Sequence, residues 1–329
     1  MRIVLIGEAA NHVDDLVHGL TADHDIVTLP TEAAHSDAYD DAFHAADIVV
    51  SLRLRRDRPL PSSIRLFQVP GAGLDAIDVA AIAEETHICN VYEHEGPVAE
   101  FVIASMLNWQ IRLERMRDAF ASTPWAEVYT ARPQHGELSG RTVGFLGHGH
   151  IGRSISSRLA AFGATMLAID DYAERDGVVQ LMSSDRYDEL LARSDFVIVA
   201  CPLTAETRGL VGTHAFTRMK PTAVLVNIAR APIVDEDALY SALRDNLIGG
   251  AILDVWYTYP NGPDDHVSPS RHDFTSLPNA WCTPHAAAWT GELATRRYSI
   301  IADNINRLTV GQPLRNVVRV GLTAAEGSV

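Results

Sequence analysis

The stretch from Leu138 to Tyr172 constrains the fold of this chain more than any other segment. It begins with a short apolar run that ends at Leu146 and has the composition of a buried strand. Residues 147–152 then read GHGHIG and fill the pattern G-x-G-x-x-G. Apolar residues at helical spacing follow, and a second apolar run leads to Asp170. Strand, glycine turn, helix, strand and acid in this order predict a dinucleotide-binding unit.

Each residue type in the turn has a physical reason to be at its position. Gly147 permits the tight turn, Gly149 lets the backbone approach a pyrophosphate, and Gly152 lets helix and strand pack closely. The free amides at the helix start, near His150 and Ile151, favour an anion. An ordinary glycine-rich turn would explain the glycines, but not the strands, helix and acid in register with them.

The acid after the second strand selects the cofactor. Asp170 lies 18 residues after Gly152, close to the spacing of about 20 expected for a carboxylate that binds the ribose hydroxyls. Asp171 adds a second negative charge, and two carboxylates would repel a 2′-phosphate, so NAD is favoured over NADP. Arg175 could serve a phosphate, although a solvated loop arginine is the commoner case.

Length and periodicity indicate the domain organisation. A chain of 329 residues is too long for one ordinary domain and suits two. Strands and helices alternate up to about residue 91, which predicts a small open parallel sheet. A long helix is predicted from Val98 to about Arg117, followed by an irregular region from Thr123 to Leu138. The alternation resumes after Asp170, and a last helix is predicted from Leu293 to Leu308.

Composition argues against several classes of protein. The net charge of -15 disfavours nonspecific binding to nucleic acid or anionic membranes. The three cysteines are widely spaced and lack a C-x-x-C pair, which argues against a disulfide framework or a thiolate zinc site. The first apolar run is too short for a signal peptide, and no run approaches the length of a membrane span. We therefore expect a cytoplasmic protein.

Three polar residues follow predicted strands in the second half of the chain, namely Arg230, Asp254 and His285. Ligands bind outside the carboxyl ends of the strands of an open parallel sheet, so we expect the three to face one crevice. Taken singly, each has an ordinary structural explanation: Arg230 could be a loop charge, Asp254 a helix or turn cap, and His285 a buried imidazole with its hydrogen bonds satisfied. Their shared placement beside a nucleotide site favours a catalytic role.

Two segments of the amino-terminal half are candidates for substrate binding. Residues 53–58 read RLRRDR and follow a predicted strand. A solvated basic loop is the commoner explanation, but four guanidinium groups in an acidic chain would suit a doubly charged substrate. Residues 70–78 read PGAGLDAID, and Gly71 and Gly73 would let the backbone present its amides to something small. A plain strand-to-helix turn is the alternative.

Together these features resemble the D-isomer-specific 2-hydroxyacid dehydrogenase family, which includes formate and phosphite dehydrogenases. The resemblance spans about residues 45–310. Its motifs stand in the order of the family: GAGLDAID at 71–78, GHGHIG at 147–152, CPLTAETRGLV at 201–211, MKPTAVLVNIAR at 219–230, GGAILDVW at 249–256 and TPH at 283–285.

The resemblance implies an α/β fold of two Rossmann-like open parallel-sheet domains, with the nucleotide domain inserted into the substrate domain. Residues 1–100 and 289–329 would form the discontinuous substrate domain, and residues 101–288 the NAD-binding Rossmann domain. It also implies a homodimer joined mainly through the nucleotide domains.

The resemblance also implies roles for individual residues. Arg230 would hold the substrate carboxylate and polarise its carbonyl oxygen, and His285 would be the general base in oxidation and the acid in reduction. Asp254 would contact the nicotinamide side, and the backbone amides of Ala72 and Gly73 would bind the substrate carboxylate. Besides the glycine turn, Arg230 and His285, further cofactor contacts are implied for Cys201, Pro202, Thr207, Ile228 and Ala229.

One position departs from the family pattern. The glutamate that usually precedes a proline and partners the histidine is replaced by Tyr259, and formate dehydrogenases also carry a neutral residue there. A carboxylate raises the pKa of a neighbouring imidazole, whereas neutral tyrosine cannot do so by charge. We therefore count Tyr259 as a catalytic candidate and expect His285 to stay neutral at pH 7, which would favour oxidation. An apparent pKa above about 8 in the pH–rate profile would count against this. Glu95 or Glu292 could still supply a carboxylate after folding.

The predicted function is that of an NAD-dependent oxidoreductase acting on the CH–OH group of a small anionic 2-hydroxy acid, or on its 2-oxo acid. Arg53 and Arg55 point to an additional phosphonate, phosphate or carboxylate on that substrate. A formate- or phosphite-type dehydrogenase and a non-catalytic NAD-sensing interaction protein are the alternatives. A metal site at His148 and His150 is a further alternative, but ordinary side chains in the phosphate-binding turn are commoner.

Overall fold

The computed structural model describes residues 1–172, 177–260, 262 and 264–322. The chain forms two compact units, of which the first comprises Met1–Glu93 and the chain from Thr290 onward, and the second His94–Trp289. The nucleotide-turn unit is therefore inserted into the first unit along the sequence. Arg175 lies outside the described residues.

The helices and strands follow one another along both units. The amino-terminal part of the first unit contains β1 (Arg2–Ile6), α1 (Val13–Gly19), β2 (Asp25–Leu29), α2 (Asp40–His44), β3 (Ile48–Val50), β4 (Leu66–Gln68) and β5 (His87–Cys89). The second unit begins with α3 (Glu95–Ile111), α4 (Leu113–Ser122), α5 (Trp125–Thr130), β6 (Thr142–Leu146), α6 (His150–Leu159), β7 (Thr165–Ile169) and β8 (Gln180–Met182). It continues with α7 (Tyr187–Arg193), β9 (Phe196–Val199), α8 (Thr213–Arg218), β10 (Val224–Asn227), α9 (Glu236–Arg244), β11 (Gly250–Leu253) and β12 (Ala280–Cys282). The first unit is completed by α10 (Gly291–Thr309) and β13 (Val317–Arg319).

The first unit is built on a six-stranded sheet in the order β13-β5-β4-β3-β1-β2. Its strands pair in parallel except for β13, which runs antiparallel to β5 at one edge. Both faces are apolar, as expected for a parallel sheet covered on two sides. Helix α10 places Tyr298, Ile301 and Ile305 in the core that lies on one of these faces.

The second unit is built on a seven-stranded parallel sheet in the order β12-β11-β10-β9-β6-β7-β8. The chain begins this sheet at β6, extends it to one side through β7 and β8, and then returns to β9 on the other side. The strand order therefore reverses between β6 and β9. Ligands bind outside the carboxyl ends of the strands at such a point, which here is the end that carries the GHGHIG turn.

Apolar helix faces cover both sides of the seven-stranded sheet. On one side, Val98, Val102 and Met106 of α3 are buried together with Ile155 and Leu159 of α6. On the other side lie the buried faces of α7, α8 and α9, including Leu190, Phe216 and Leu239. Because both faces of the sheet are buried, the strands of this unit, such as VLVN at 224–227, are almost continuously apolar.

Two elements differ from the sequence prediction. The single helix predicted from Val98 to about Arg117 breaks at Arg112, whose backbone is left-handed with φ 57°. The Arg112 guanidinium lies over the rings of Trp109 and Trp281, at 4.2 and 5.2 Å from their centroids. These contacts favour the break. The region predicted to be irregular also contains a short helix, α5.

The predicted fold class is confirmed, because both units are α/β structures built on open and mostly parallel sheets. Among the helices of the described ranges, none has the length and apolar character required to cross a membrane.

Candidate functional site

The glycine turn has the geometry required for close approach to a pyrophosphate. Gly147 adopts φ 91°, and a Cβ there would lie 2.7 Å from the backbone of Cys201, so both the turn and the packing require glycine. A Cβ on Gly149 would meet open space, whereas one on Gly152 would press on the Gly147 carbonyl at 3.0 Å. Gly149 precedes α6 without a capping side chain, which leaves the helix amides to a bound anion. The turn therefore fits a dinucleotide.

Asp170 follows β7 and is tied to the turn. Its carboxylate accepts hydrogen bonds from the backbone amides of His148 and Tyr172, at 2.7 and 2.9 Å. Each carboxylate oxygen can accept a second bond. Asp170 is partly exposed, and the neighbouring Asp171 is exposed. This arrangement suits binding of ribose hydroxyls, and the two neighbouring carboxylates would repel a 2′-phosphate.

The two histidines of the turn make separate contacts. His148 is buried, and its Nε2 lies 2.9 Å from the Ser156 hydroxyl of α6. His150 is exposed, and its Nδ1 lies 3.8 Å from a carboxylate oxygen of Glu95 at the start of α3. Within the described ranges, no three His, Cys, Asp or Glu residues are grouped as metal ligands would be.

The segment after β9 forms the other wall of the point where the strand order reverses. Cys201 follows this strand and packs against the turn at Gly147. Burial raises the pKa of the Cys201 thiol to about 11. The Thr207 hydroxyl donates to the Pro202 carbonyl at 2.6 Å and accepts from the Thr204 amide at 2.7 Å. These bonds fix the loop, and the predicted cofactor contacts of Cys201, Pro202 and Thr207 remain predictions.

Arg230 follows β10 in a turn that Asn227 stabilises. The buried Asn227 side chain accepts from the Ala229 amide and donates to the Arg230 carbonyl, each at 3.2 Å. The Arg230 guanidinium donates to the Ala229 carbonyl at 2.8 Å. Ile228 is buried and Ala229 is partly buried, so any contact of theirs with a cofactor would be apolar or through the backbone.

Asp254, at the end of β11, holds the segment that carries His285. Its side chain is 1 % exposed. One carboxylate oxygen accepts from the Thr283 hydroxyl at 2.6 Å and from the Ala286 amide at 2.8 Å, and the other accepts from the Ala287 amide at 2.9 Å. The carboxylate therefore stabilises the turn at 283–287. Its predicted contact with the nicotinamide remains a prediction.

His285 lies at the apex of that turn, beside Tyr259. Its backbone is left-handed, with φ 58°, and its amide donates to the Thr283 carbonyl at 3.0 Å. The indole nitrogen of Trp256 donates to the same carbonyl at 2.8 Å. The Tyr259 hydroxyl lies 2.8 Å from Nδ1 of His285 and accepts from the Trp256 amide at 3.1 Å. The tyrosine thus contacts the histidine directly, as a partner in the position of the family's glutamate would.

The segment bearing Tyr259 is anchored to α9 by a buried carboxylate. Glu236 accepts hydrogen bonds from the Ser270 hydroxyl and from the amide and Nε of Arg271, at 2.7, 2.7 and 2.8 Å. Burial by itself raises the pKa of Glu236, but these hydrogen bonds outweigh burial and leave the pKa below its ordinary value. The neighbouring Pro269 carbonyl accepts from the amides of Tyr257 and Thr258, both at 3.1 Å.

The four arginines at 53–58 do not share one environment. Arg56 is 7 % exposed, donates to the carbonyls of Ala33 and Ser36, and pairs with Asp37 and Asp40. Arg58 also lies within salt-bridge distance of both acids. Asp37 and Asp40 thus compensate the charge of Arg56 and Arg58.

Arg53 and Arg55 are exposed and, among the described residues, have no acid within salt-bridge distance, unlike that pair. The Ser51 hydroxyl donates to the Arg53 carbonyl at 2.7 Å and so fixes the backbone there. The turn after β4 is fixed by Asn90, whose amide donates to the Ala72 carbonyl at 2.9 Å, and by the Val91 amide, which donates to Gly71. Substrate contacts of Arg53, Arg55, Ala72 and Gly73 remain predictions.

Comparison with known proteins identifies the family. The model of the D-isomer specific 2-hydroxyacid dehydrogenase NAD-binding domain matches residues 103–287, more than half of the chain. The chain belongs to this family. The resemblance seen in the sequence is thereby confirmed, and the second unit contains the NAD-binding domain of a D-2-hydroxyacid dehydrogenase.

Relatives in the family differ in the substrates for which they are named. A D-3-phosphoglycerate dehydrogenase of Methanocaldococcus jannaschii is 32% identical over 256 residues, which are 76% of this chain and 46% of that protein. The chain thus spans about half the length of the phosphoglycerate dehydrogenases it matches. A glycerate dehydrogenase of Methylorubrum extorquens is 31% identical over 82% of this chain and 83% of its own.

Solved structures share the fold. The NAD complex of a D-isomer specific 2-hydroxyacid dehydrogenase from Lactobacillus delbrueckii ssp. bulgaricus has a TM-score of 0.76 at 22% identity, covering 97% of this chain and 100% of the other. An NAD-dependent formate dehydrogenase from Staphylococcus aureus has a TM-score of 0.72 at 24% identity, covering 97% and 99%.

Sequence reasoning missed the residues that hold the site in place. Asn227 shapes the Arg230 turn, and Trp256 contributes both its amide and its indole nitrogen around His285. A polar residue at the last position of an apolar strand, such as Asn227 in VLVN, is the one signal that could have indicated such a role.

Proposed function

We propose that this chain is an NAD-dependent dehydrogenase that transfers a hydride between nicotinamide and a small anionic 2-hydroxy acid or its 2-oxo acid. One observation carries the proposal. Arg230, Asp254 and His285 follow β10, β11 and β12, which are adjacent parallel strands in one sheet. Parallel strands end at one edge of a sheet, so the three residues belong to the edge that also carries the glycine turn.

The proposed roles follow from the chemistry of each group. Arg230 binds the substrate carboxylate through a forked pair of N–H donors and polarises the reacting oxygen. His285 takes the hydroxyl proton in oxidation and returns it in reduction. Asp254 keeps the histidine turn in its left-handed conformation. Bound NAD supplies the hydride acceptor.

The proposed substrate carries an anionic group beyond the reacting carboxylate. The exposure of Arg53 and Arg55 supports this, since the other two arginines of the run are paired internally. D-3-phosphoglycerate dehydrogenases and a glycerate dehydrogenase among the relatives are named for substrates of both kinds, with and without a phosphate. We place a phosphate, phosphonate or second carboxylate at this position of the substrate.

A spectrophotometric screen tests the proposal. NADH formation at 340 nm is followed with D-2-hydroxy acids, phosphorylated hydroxy acids, hydroxyalkylphosphonates, formate and phosphite. We expect turnover with a hydroxy acid and a fall in kcat of about 10²–10⁴-fold in His285→Ala. Turnover with formate or phosphite alone would show that the protein is a formate- or phosphite-type dehydrogenase and does not act on a 2-hydroxy acid. NAD binding without turnover on any compound would favour the non-catalytic sensor.

Arg53→Ala and Arg55→Ala test the substrate class separately. Loss of a charged contact in these variants raises KM for the doubly anionic substrate and leaves KM for a singly anionic hydroxy acid unchanged. An equal effect on both substrates would show that these arginines do not bind the additional anion.

We also propose that the protein is a homodimer and acts in the cytoplasm. Helices α4 and α5 have no buried residue and expose large apolar side chains, among them Leu113, Phe120, Trp125 and Tyr129. An exposed apolar patch of this kind marks an interaction surface, and a second copy of the chain would cover it. Light scattering should give a dimer for the unaltered chain and a monomer for Trp125→Ala.

The proposed cytoplasmic location is supported by the cysteines. Cys89, Cys201 and Cys282 carry free thiols, as suits a reducing compartment.

A further inference from the structure

The contact between Tyr259 and His285 does more than replace a carboxylate by a neutral neighbour. A carboxylate can only accept from an imidazole N–H, whereas a phenol hydroxyl both donates and accepts. The Tyr259 oxygen lies 2.8 Å from Nδ1 of His285, and the Trp256 amide donates to it at 3.1 Å. One lone pair of that oxygen is therefore used to fix its position.

The exposure of Tyr259 gives this hydroxyl access to solvent. Tyr259 is 40 % exposed, and the ring centroids of Tyr259 and His285 lie 5.5 Å apart with an interplanar angle of 52°. A proton that arrives on the phenol oxygen can therefore reach water on the side away from the imidazole. The hydrogen bond between the Tyr259 hydroxyl and Nδ1 of His285 is itself exposed.

We propose that Tyr259 relays protons between Nδ1 of His285 and solvent, so that the histidine is reset after each turnover without a carboxylate partner. The proposal rests on the dehydrogenase function proposed above. In oxidation, the substrate O–H bond breaks and its proton forms an N–H bond at Nε2, while the electron pair of the C–H bond leaves as hydride to bound NAD. The proton on Nδ1 then passes to the Tyr259 oxygen as the phenol O–H proton passes to water. The imidazole is then neutral but carries its proton on Nε2. After the product leaves, this proton passes to water while Nδ1 regains a proton from water through the Tyr259 hydroxyl, which restores the starting tautomer. One proton is released in total for each hydride transferred.

This assignment makes Tyr259 a positioning and relay residue that acts through His285. The other titratable group that the described contacts bring to the histidine turn is Asp254, whose oxygens are engaged by Thr283, Ala286 and Ala287. Asp254 therefore holds the turn, and the proton path runs on the side of the imidazole that faces Tyr259.

Three substitutions separate a relay from a merely structural contact. Tyr259→Phe keeps the ring and removes the hydroxyl. Tyr259→Gln keeps a polar side chain that can hydrogen-bond Nδ1 but cannot pass a proton on. Tyr259→Glu supplies a carboxylate. Tyr39→Phe, in the first unit, is the matched control for loss of a tyrosine hydroxyl elsewhere. Equilibrium NADH binding, measured by fluorescence, verifies that each variant is folded.

The expected results concern kcat at low buffer concentration. Tyr259→Phe and Tyr259→Gln lose about tenfold to a hundredfold in kcat, a part of the range for general acid–base catalysis. Their activity rises with the concentration of added imidazole buffer, because a small base replaces the relay. Tyr259→Glu stays active, and the limb of its pH–rate profile that reports His285 moves to higher pH by about one unit. The unaltered chain and Tyr39→Phe show no dependence on buffer concentration.

Each contrary result has a distinct meaning. A kcat of Tyr259→Phe equal to that of the unaltered chain and independent of buffer overturns the relay and leaves the dehydrogenase proposal intact. Full kcat in Tyr259→Gln reduces Tyr259 to a hydrogen-bonding support and also overturns the relay. Absence of turnover by the unaltered chain on every substrate overturns the proposed function and the relay together.

Discussion

Replacing Asp254 by asparagine should loosen the histidine turn, because the turn depends on a single buried carboxylate. Asparagine has nearly the same shape and keeps one carbonyl oxygen. Its amide nitrogen, however, replaces the second acceptor and then faces a backbone N–H. If the carbonyl retains Thr283 and Ala286, the amide of Ala287 loses its acceptor.

The magnitude follows from that lost bond. A hydrogen bond to a charged group is worth about 1.5–3 kcal/mol, and an unpaired buried donor costs a similar amount. With Asp254 at 1 % exposure, water cannot take the place of the missing acceptor. We therefore expect Asp254→Asn to destabilise the turn by about 2–3 kcal/mol. This corresponds to a loss of amide protection at Ala287 of between about thirtyfold and 150-fold.

Native-state hydrogen exchange read at Ala286 and Ala287 is the direct assay, with kcat as the functional readout. Asp273→Asn is the matched control, since Asp273 also accepts three hydrogen bonds, from the amide and hydroxyl of Thr275 and from the Ser276 amide, but is exposed. Its substitution should leave exchange at the histidine turn unchanged. If Asp254→Asn changes the protection of Ala287 by less than about threefold, the carboxylate does not hold the turn and the reasoning is refuted.

Three further outcomes follow from other parts of the second unit and from the cysteines. Glu236, whose pKa is lowered, stabilises the fold above its unfolded-state pKa and loses that contribution as the pH falls through the folded-state value. Glu236→Gln should therefore be about 1–2 kcal/mol less stable at pH 7 and should show a flatter acid limb in denaturant titrations, and parallel acid limbs would contradict this. Burial raises the pKa of each cysteine, to about 12 for Cys89 and about 11 for Cys201 and Cys282, so iodoacetamide at pH 8 should label them only after unfolding. Gly147→Ala should weaken NADH binding at least tenfold, about 1.4 kcal/mol, because its Cβ meets the Cys201 backbone. Gly163→Ala is the control, since Gly163 also has a positive φ but lies in an uncrowded position, and this variant should bind NADH normally.

The predictable parts of the fold are those in which local sequence and long-range packing agree. The order of strand, glycine turn and helix around residues 142–159 is visible in the sequence because a buried parallel strand is continuously apolar and the turn requires glycine. The helix predicted up to about Arg117 breaks at Arg112, whose guanidinium lies over Trp109 and Trp281, and Trp281 is remote in sequence. The local spacing of apolar residues cannot predict a contact with so distant a residue.

The candidate site divides in the same way. Residue type and position after a strand indicate Arg230, Asp254 and His285. Their supporting contacts come from residues such as Asn227 and Trp256, whose role depends on where their atoms lie after folding. The arginine run is the converse case, because its sequence looks uniform although its members differ after folding. Asp37 and Asp40 pair with Arg56 and Arg58, whereas no acid among the described residues pairs with Arg53 or Arg55.

The sequence by itself determined the family, the nucleotide turn and the residue types available for chemistry, because glycine conformations, apolar runs and acid spacing are local properties. The tertiary structure alone decided what surrounds each of those residues. It brought Tyr259 to Nδ1 of His285 across 26 residues and enclosed the Asp254 carboxylate beneath the turn it holds. Hydrogen bonds of this kind depend on distances between side chains that only the folded chain brings together, and the proton chemistry of His285 depends on them.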